Sequence, residues 1–444
     1  MNVSFLSELL TEISERGRKL IGAGAPGHSS DIAVLCEALL SGRGEASGVA
    51  IAQDIVERYH ALDADGQVAF FQTLHDNFGP DKDKVEQALT AYSTSPGDAT
   101  VRALHLATEP RRQALFRRIN LAPGGTAALV AMRADLLAHN RKGDLEAVDQ
   151  DFEHVFASWF NRGFLVLRRI DWNTPAAILE KIIRYEAVHE IGDWNELRQR
   201  IDLPDRRLYA FFHPTLVDDP LIFVEVALTT QIPGAIQPIL ATSREPIEPA
   251  SATTAVFYSI SNCQTGLRGI SFGNFLIKQV VEELSREFSS LRTFVTLSPV
   301  PGFMRWLGTD EAQSLLSDDE KVLLELLNQT TWRDHPRSHE LLRRLLQALA
   351  AHYFLRARTS SGRPVDAVAR FHLGNGARLE RINWMGDTSQ KGMDQSAGMM
   401  VNYQYVLGQI ERNHEAYAND GEVIAASAVK KLLRAEPAAM GAAS

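Results

Sequence analysis

Two cysteines in 444 residues, Cys36 and Cys263, leave no room for a disulfide framework or a cysteine zinc site. No run of about eighteen apolar residues occurs, so no segment reads as a membrane span. Basic excess is also missing. The formal charge is −9, and neutralising nucleic-acid phosphates needs a clustered Lys/Arg surface, so a general nucleic-acid binder is excluded. The glycine-bearing loop Gln264 to Gly273 lacks the Walker lysine pattern and the G-x-G-x-x-G spacing, which argues against nucleoside triphosphate and dinucleotide binding there. His335-Pro-Arg-Ser-His339 has a proline in its spacing and lacks the glutamate of the zinc helix motif. Glu186-Ala-Val-His189 has di-iron helix spacing, but no second copy accompanies it. Acidic residues Glu8, Glu12 and Glu15 in the first amphipathic stretch speak against a transit peptide, and the last residues are not a peroxisomal signal. A reducing cytoplasm is the expected compartment.

What is present changes character along the chain. From Met1 to about Phe160 the pattern is almost entirely helical. Residues 1–22, 48–62, 66–78, 83–93, 110–120 and 125–140 place apolar residues three and four apart, and Gly/Pro clusters separate them. Ser30-Asp31 and Ser95 to Asp98 are expected helix caps. No histidine, cysteine or acidic spacing here resembles a site, so packing or assembly is the expected work.

After Trp159 strands appear: Leu165 to Ile170, Tyr209 to Phe212, Leu221 to Leu228, Ala255 to Ser261 and Arg292 to Leu297. Helices are expected at Pro175 to Val188, at Asn274 to Phe288, and within residues 311–357. An all-helical start followed by mixed strands and helices predicts an α+β protein of two domains, 1–160 and 161–435.

Three places carry chemistry. The loop Gln264-Thr-Gly-Leu-Arg-Gly-Ile-Ser-Phe-Gly273 lies between a strand and a helix, where unpaired N–H groups and the helix dipole favour phosphate. A plain loop fits the same residues. Gly269-Ile-Ser271-Phe-Gly273 also matches the nucleophile elbow G-x-S-x-G, but several polar and glycine residues separate Ser271 from its strand. His372, between Phe371 and Leu373-Gly-Asn-Gly376, reads as the end of a strand in a tight turn, with Leu379 to Trp384 as the next strand. Taken alone it is first a satisfied core or turn histidine. Ser298, held before Pro299-Val-Pro301, reads as a strand-terminating serine in a rigid turn.

Taken together, Phe257-Tyr-Ser-Ile-Ser261, Gly273-Asn-Phe-Leu-Ile-Lys278, Leu297-Ser-Pro-Val-Pro-Gly-Phe303, Phe371-His-Leu373 and Arg381-Ile-Asn-Trp-Met385 resemble the malonyl-CoA decarboxylase family. Glu186-Ala-Val-His189 and Asn402-Tyr-Gln-Tyr405 fit the same resemblance, which spans about residues 150 to 430. It implies a helical N-terminal domain for self-association into a tetramer, and a catalytic domain of acetyltransferase (GNAT) fold. It places a catalytic pair on Ser298 and His372. The malonyl-CoA loop then falls on Arg268, Gly269, Ile270, Ser271, Phe272, Gly273 and Asn274, with Ser259 and Tyr405 lining the pocket. The implied reaction turns malonyl-CoA into acetyl-CoA and carbon dioxide without a metal or organic cofactor, because the thioester carbonyl is itself the electron sink. An acyl-CoA thioesterase or acyltransferase on the same cradle is the alternative enzyme, and a non-catalytic acyl-CoA sensor the alternative of another class.

Overall fold

The computed structural model describes residues 12–13, 31–42, 44–140, 143–270, 276–329 and 331–434. The expected first helix, residues 1–22, therefore lies almost wholly outside the described residues, as do Ser271 to Phe275. Two compact units divide the chain. One comprises residues 1–167, 211–222 and 262–273; the other comprises 168–210, 223–261 and 274–444.

The first unit is helical: Ile32–Leu40, Glu45–His60, Ala64–Asn77, Lys82–Thr94, Asp98–Thr108, Arg111–Ile119, Gly125–His139 and Glu146–Trp159. Aspartates start three of these helices, Asp31, Asp63 and Asp81 each accepting a backbone N–H from the first turn. At Ser95 to Asp98 the cap differs from expectation. Thr100 Oγ1 accepts the Gly97 N–H at 3.1 Å, while Ser95 closes the preceding helix. The unit's core is aromatic, with Phe116 stacked on Phe152 at 4.0 Å between ring centroids and Phe156 tilted against Phe152. Two arginines are buried in it. Arg112 pairs with Asp151, and Arg133 pairs with Asp149 at 2.7 Å. Charges this deep are tolerated because the guanidinium groups spend their remaining N–H groups on backbone carbonyls and, for Arg133, on a second carboxylate, Glu153.

The second unit holds most of a mixed sheet of eight strands: β1 (Val166–Ile170), β2 (Arg206–Phe212), β3 (Pro220–Thr229), β4 (Thr254–Asn262), β5 (Thr293–Thr296), β6 (Ser298–Pro299), β7 (Arg378–Asn383) and β8 (Met400–Gln404). Their order is β1-β2-β3-β4-β5-β8-β6, with β7 also on β8. The strands β4 and β5 run parallel, and the helix Leu276–Glu287 makes the crossover a parallel pair requires. That helix buries Leu276, Val280 and Leu284, as its periodicity predicts. Against β8, the strands β5, β6 and β7 are antiparallel. The chain is thus α+β, helical first and then a mixed sheet with helices packed among its strands.

One local expectation fails. Residues 367–374 form a helix, Ala367–Gly374, and no strand ends at His372. Asp366 starts the helix by accepting the Ala369 N–H at 2.7 Å. Gly374-Asn375-Gly376 then ends it, the Asn375 N–H returning to the Phe371 and His372 carbonyls. Glycine with positive φ closes helices as readily as it turns hairpins, so the local turn signal fits both. Gly376 sits at φ +79°, and a Cβ there would lie 2.2 Å from the Ile410 carbonyl oxygen. Gly376→Ala is expected to destabilise the protein by more than about 1 kcal/mol, measured as a lowered urea midpoint; an unchanged midpoint would contradict this packing.

Candidate active site

Three paired strands and one helix bring the predicted pair together. Along β8 successive side chains face opposite sides of the sheet. Tyr403 therefore shares a face with Tyr405, just beyond the strand end, while Met400 and Asn402 face the other way. The first face carries Thr296 and Ser298, since Ser298 stands opposite Val401 in the register. The helix Ala367–Gly374 lays His372 on this face, its ring stacked on Tyr403 at 4.7 Å.

The hydrogen bonds have a readable direction. Ser298 Oγ donates to Thr296 Oγ1 at 2.9 Å. Having given its proton there, it meets His372 Nε2, 3.2 Å away, as an acceptor. The histidine proton is thus on Nε2, and Nδ1 accepts from the Tyr405 hydroxyl at 2.8 Å. The chain Tyr405–His372–Ser298–Thr296 is neutral throughout. Thr296 is itself fixed, its Oγ1 accepting the Tyr403 N–H at 3.1 Å and its carbonyl the Asn402 side-chain amide at 2.7 Å.

Burial sets the electrostatics. His372 is 3% exposed. Removal from water pushes its pKa from 6.5 down to about 3, so the resting imidazole is uncharged at neutral pH. The same desolvation raises the Tyr405 phenol well above its ordinary value, which keeps it a donor.

The other predicted residues fall elsewhere. Ser259 donates to both carboxylate oxygens of Glu186, at 2.9 and 2.7 Å, and Ser261 donates to the same group at 3.2 Å. Glu186 also accepts the N–H groups of Val188 and His189, so this carboxylate braces a turn against β4. Arg268, Gly269 and Ile270 belong to the first unit. There the loop is anchored from below by Arg133, whose Nη1 donates to the carbonyls of Gly266 and Arg268 at 3.0 and 2.8 Å. Gly266 packs so closely that a Cβ would sit 1.9 Å from the Val130 carbonyl oxygen. Ser271, Phe272, Gly273 and Asn274 lie outside the described residues.

Sequence reasoning missed Thr296, Tyr403 and Arg133. The first two carried a signal: Thr296/Ser298 and Tyr403/Tyr405 are each two apart, the spacing that puts both members on one face of a strand. Arg133 carried none, because the backbone carbonyls it supports lie more than a hundred residues away.

Below pH 6.5 the unfolded chain binds a proton at this histidine, whereas the folded protein resists until about pH 3. Stability is therefore full above pH 6.5 and falls as the pH drops through that window. At one unit below 6.5 the loss is about 1.4 kcal/mol. Buried His189, with its pKa lowered to about 4, adds a similar loss. Urea unfolding at pH 7.5 and 5.5 should show wild type losing roughly 1 kcal/mol more than His372→Asn; equal losses would mean that His372 titrates normally.

Comparison with known proteins agrees with the local pattern. Residues 163–443 match the family model of the malonyl-CoA decarboxylase C-terminal domain, and residues 78–160 that of the N-terminal domain. A crystal structure of malonyl-CoA decarboxylase from Rhodopseudomonas palustris is similar with a TM-score of 0.87 and 56% identity, covering 90% of this chain and 98% of that one. Another from Agrobacterium vitis gives a TM-score of 0.87 and 57% identity, over 91% of this chain and 100% of that one. The mitochondrial malonyl-CoA decarboxylase of Anser anser anser is 38% identical over 353 residues, 72% of this chain and 69% of the relative.

Proposed function

The chain belongs to the malonyl-CoA decarboxylase family, and from that premise we propose that it is a carboxy-lyase converting malonyl-CoA to acetyl-CoA and carbon dioxide at Ser298 and His372. The observation that carries the assignment of residues is the buried, directed hydrogen-bond chain Tyr405–His372–Ser298–Thr296.

The chemistry follows from charge. As the bond between the α-carbon and the carboxylate breaks, its electron pair moves into the thioester carbonyl, carbon dioxide leaves, and an enolate remains. That enolate must receive one proton at carbon. The resting imidazole is neutral, so it does not arrive charged. The substrate carboxylate supplies the missing term: a negative charge beside a buried histidine favours imidazolium and offsets desolvation. Once carbon dioxide has gone, the negative charge sits on the enolate and His372 delivers its proton to the α-carbon, returning to neutrality. Overall one proton is consumed per turnover. Ser298, fixed through Thr296, holds the imidazole and substrate in register, and Tyr405 fixes the tautomer. In this arrangement the Ser298 hydroxyl points at Thr296 rather than at the imidazole, which does not suit an activated serine nucleophile. The loop at Arg268 to Asn274 is the CoA pyrophosphate cradle in this reading, Arg133 supporting its base.

His372→Asn should keep malonyl-CoA binding and lower turnover at least about a hundredfold, the range of one acid–base group. Ser298→Ala should also lower turnover with a smaller effect on binding, and Tyr405→Phe should lower it less than His372→Asn. Deuterium in the acetyl product from heavy water would report the protonation step. Near wild-type turnover in folded His372→Asn would remove the histidine from the chemistry.

The helical N-terminal region builds a homo-oligomer, a tetramer in this proposal, and the protein works in a reducing cytoplasm. Support for the compartment comes from the scarcity of cysteine, Cys36 and Cys263 both being buried; the curated relatives are mitochondrial by name. Light scattering should give a mass well above the 49.2 kDa of one chain; an active monomer would refute the assembly.

A further inference from the structure

A cavity of about 830 Å³ lies beside β7, on the face of the sheet turned away from His372. Asn402 points to this side, and so do Arg381 and Asn383, which pair with β8 opposite Asn402 and Met400. Four arginines line the cavity, Arg206, Arg244, Arg343 and Arg381, against a single carboxylate, Asp205. The pairing is uneven. Arg244 takes both oxygens of Asp205, at 2.6 and 2.7 Å, and Arg343 is matched within its own helix by Glu340 at 2.8 Å.

Arg206 and Arg381 are held differently. Arg206 donates to the carbonyls of Asp205 and Ile239, at 3.2 and 2.6 Å, and lies 3.6 Å from the carboxylate already engaged by Arg244. Arg381 donates to the side-chain oxygen of Asn402 and to the carbonyls of Ile232 and Pro233, at 3.1, 3.1 and 2.8 Å. Carbonyls orient a guanidinium but do not cancel its charge. Burial lowers the pKa of both groups, the mark of cations short of compensation. A cavity of this size with surplus fixed cations is a ready anion site.

We propose that this cavity binds a small polyanion, a molecule bearing two or three carboxylate or phosphate groups, at a site separate from the one that holds the reacting acyl group. Arg206 and Arg381 supply the unbalanced charge, and Arg343, whose Nε and Nη2 face Glu340, adds its remaining Nη1 donors. Through Asn402, which accepts from Arg381 and donates to the Thr296 carbonyl, the occupant is linked to Ser298 by three hydrogen-bonded residues, Arg381, Asn402 and Thr296.

The test is calorimetric titration of the full-length protein with citrate and, separately, with tripolyphosphate, which distinguish a carboxylate from a phosphate ligand. Binding by at least one of them is expected. Arg381→Gln should weaken it at least about tenfold, as loss of a charge-assisted donor does. Arg343→Gln, a change at a half-exposed helix position that should not disturb folding, should weaken it measurably and decides the matter if the first variant does not fold. Acetyl-CoA is then added in competition. Retained anion binding supports a separate site, whereas displacement overturns it. Absence of binding by both anions at up to about 10 mM, or wild-type affinity in the folded variants, would equally overturn the proposal.

Discussion

Burial of one imidazole in a fully directed hydrogen-bond chain is the constraint around which the second unit is arranged. A histidine 3% exposed must have both ring nitrogens satisfied. Tyr405 satisfies one and Ser298 the other. That requires two strands, β6 and β8, in fixed register, and a helix whose last turn faces them. The helix is in turn held at both ends, by buried Asp366 at its start and by Gly376 against Ile410 at its end. Tyr353 donates to the same aspartate at 3.1 Å, so even the cap is embedded in the core.

The opposite face of the sheet is polar where a sheet interior is usually apolar. Fully buried Asn402 joins three elements: β5 through the Thr296 carbonyl, β7 through Arg381 and Asn383, and the loop at Pro233. Leaving any of these donors or acceptors unpaired at this depth would cost on the order of 1–3 kcal/mol. The residue therefore specifies register as well as stability, because a shift of one position would put Asn402 on the histidine face. Around it the apolar wall of Val256, Tyr258, Val295, Leu297 and Met400 closes against Ile236 and Ile239.

In the first unit a second polar knot has a similar form. Arg133, 1% exposed, reaches Asp149, Glu153 and two carbonyls of the 264–268 segment. The helical region thus does more than pack on itself: one of its helices carries the support of a loop that is far away in sequence. The absence of any site-like pattern in the first 160 residues concealed this, because an arginine that serves backbone carbonyls looks like any other arginine.

Local sequence determined a great deal here. Helical periodicity marked most helices of the first unit, β-branched and aromatic runs marked β1 to β5, and the helix Leu276–Glu287 was readable between two of those strands. These features depend on neighbours within one or two turns, which the sequence contains. Motifs spread along the chain singled out Ser298, His372 and Tyr405, and the fold brings these three into one hydrogen-bonded chain. Tertiary structure alone decided the rest. Gly374-Asn-Gly376 ends a helix rather than turning a hairpin because Asp366 caps that helix and Ile410 packs on its end. Ser259 faces Glu186 and not the imidazole because its strand presents it there. The neutrality of His372 comes from desolvation, a property of everything packed around the ring and of no residue beside it in the chain.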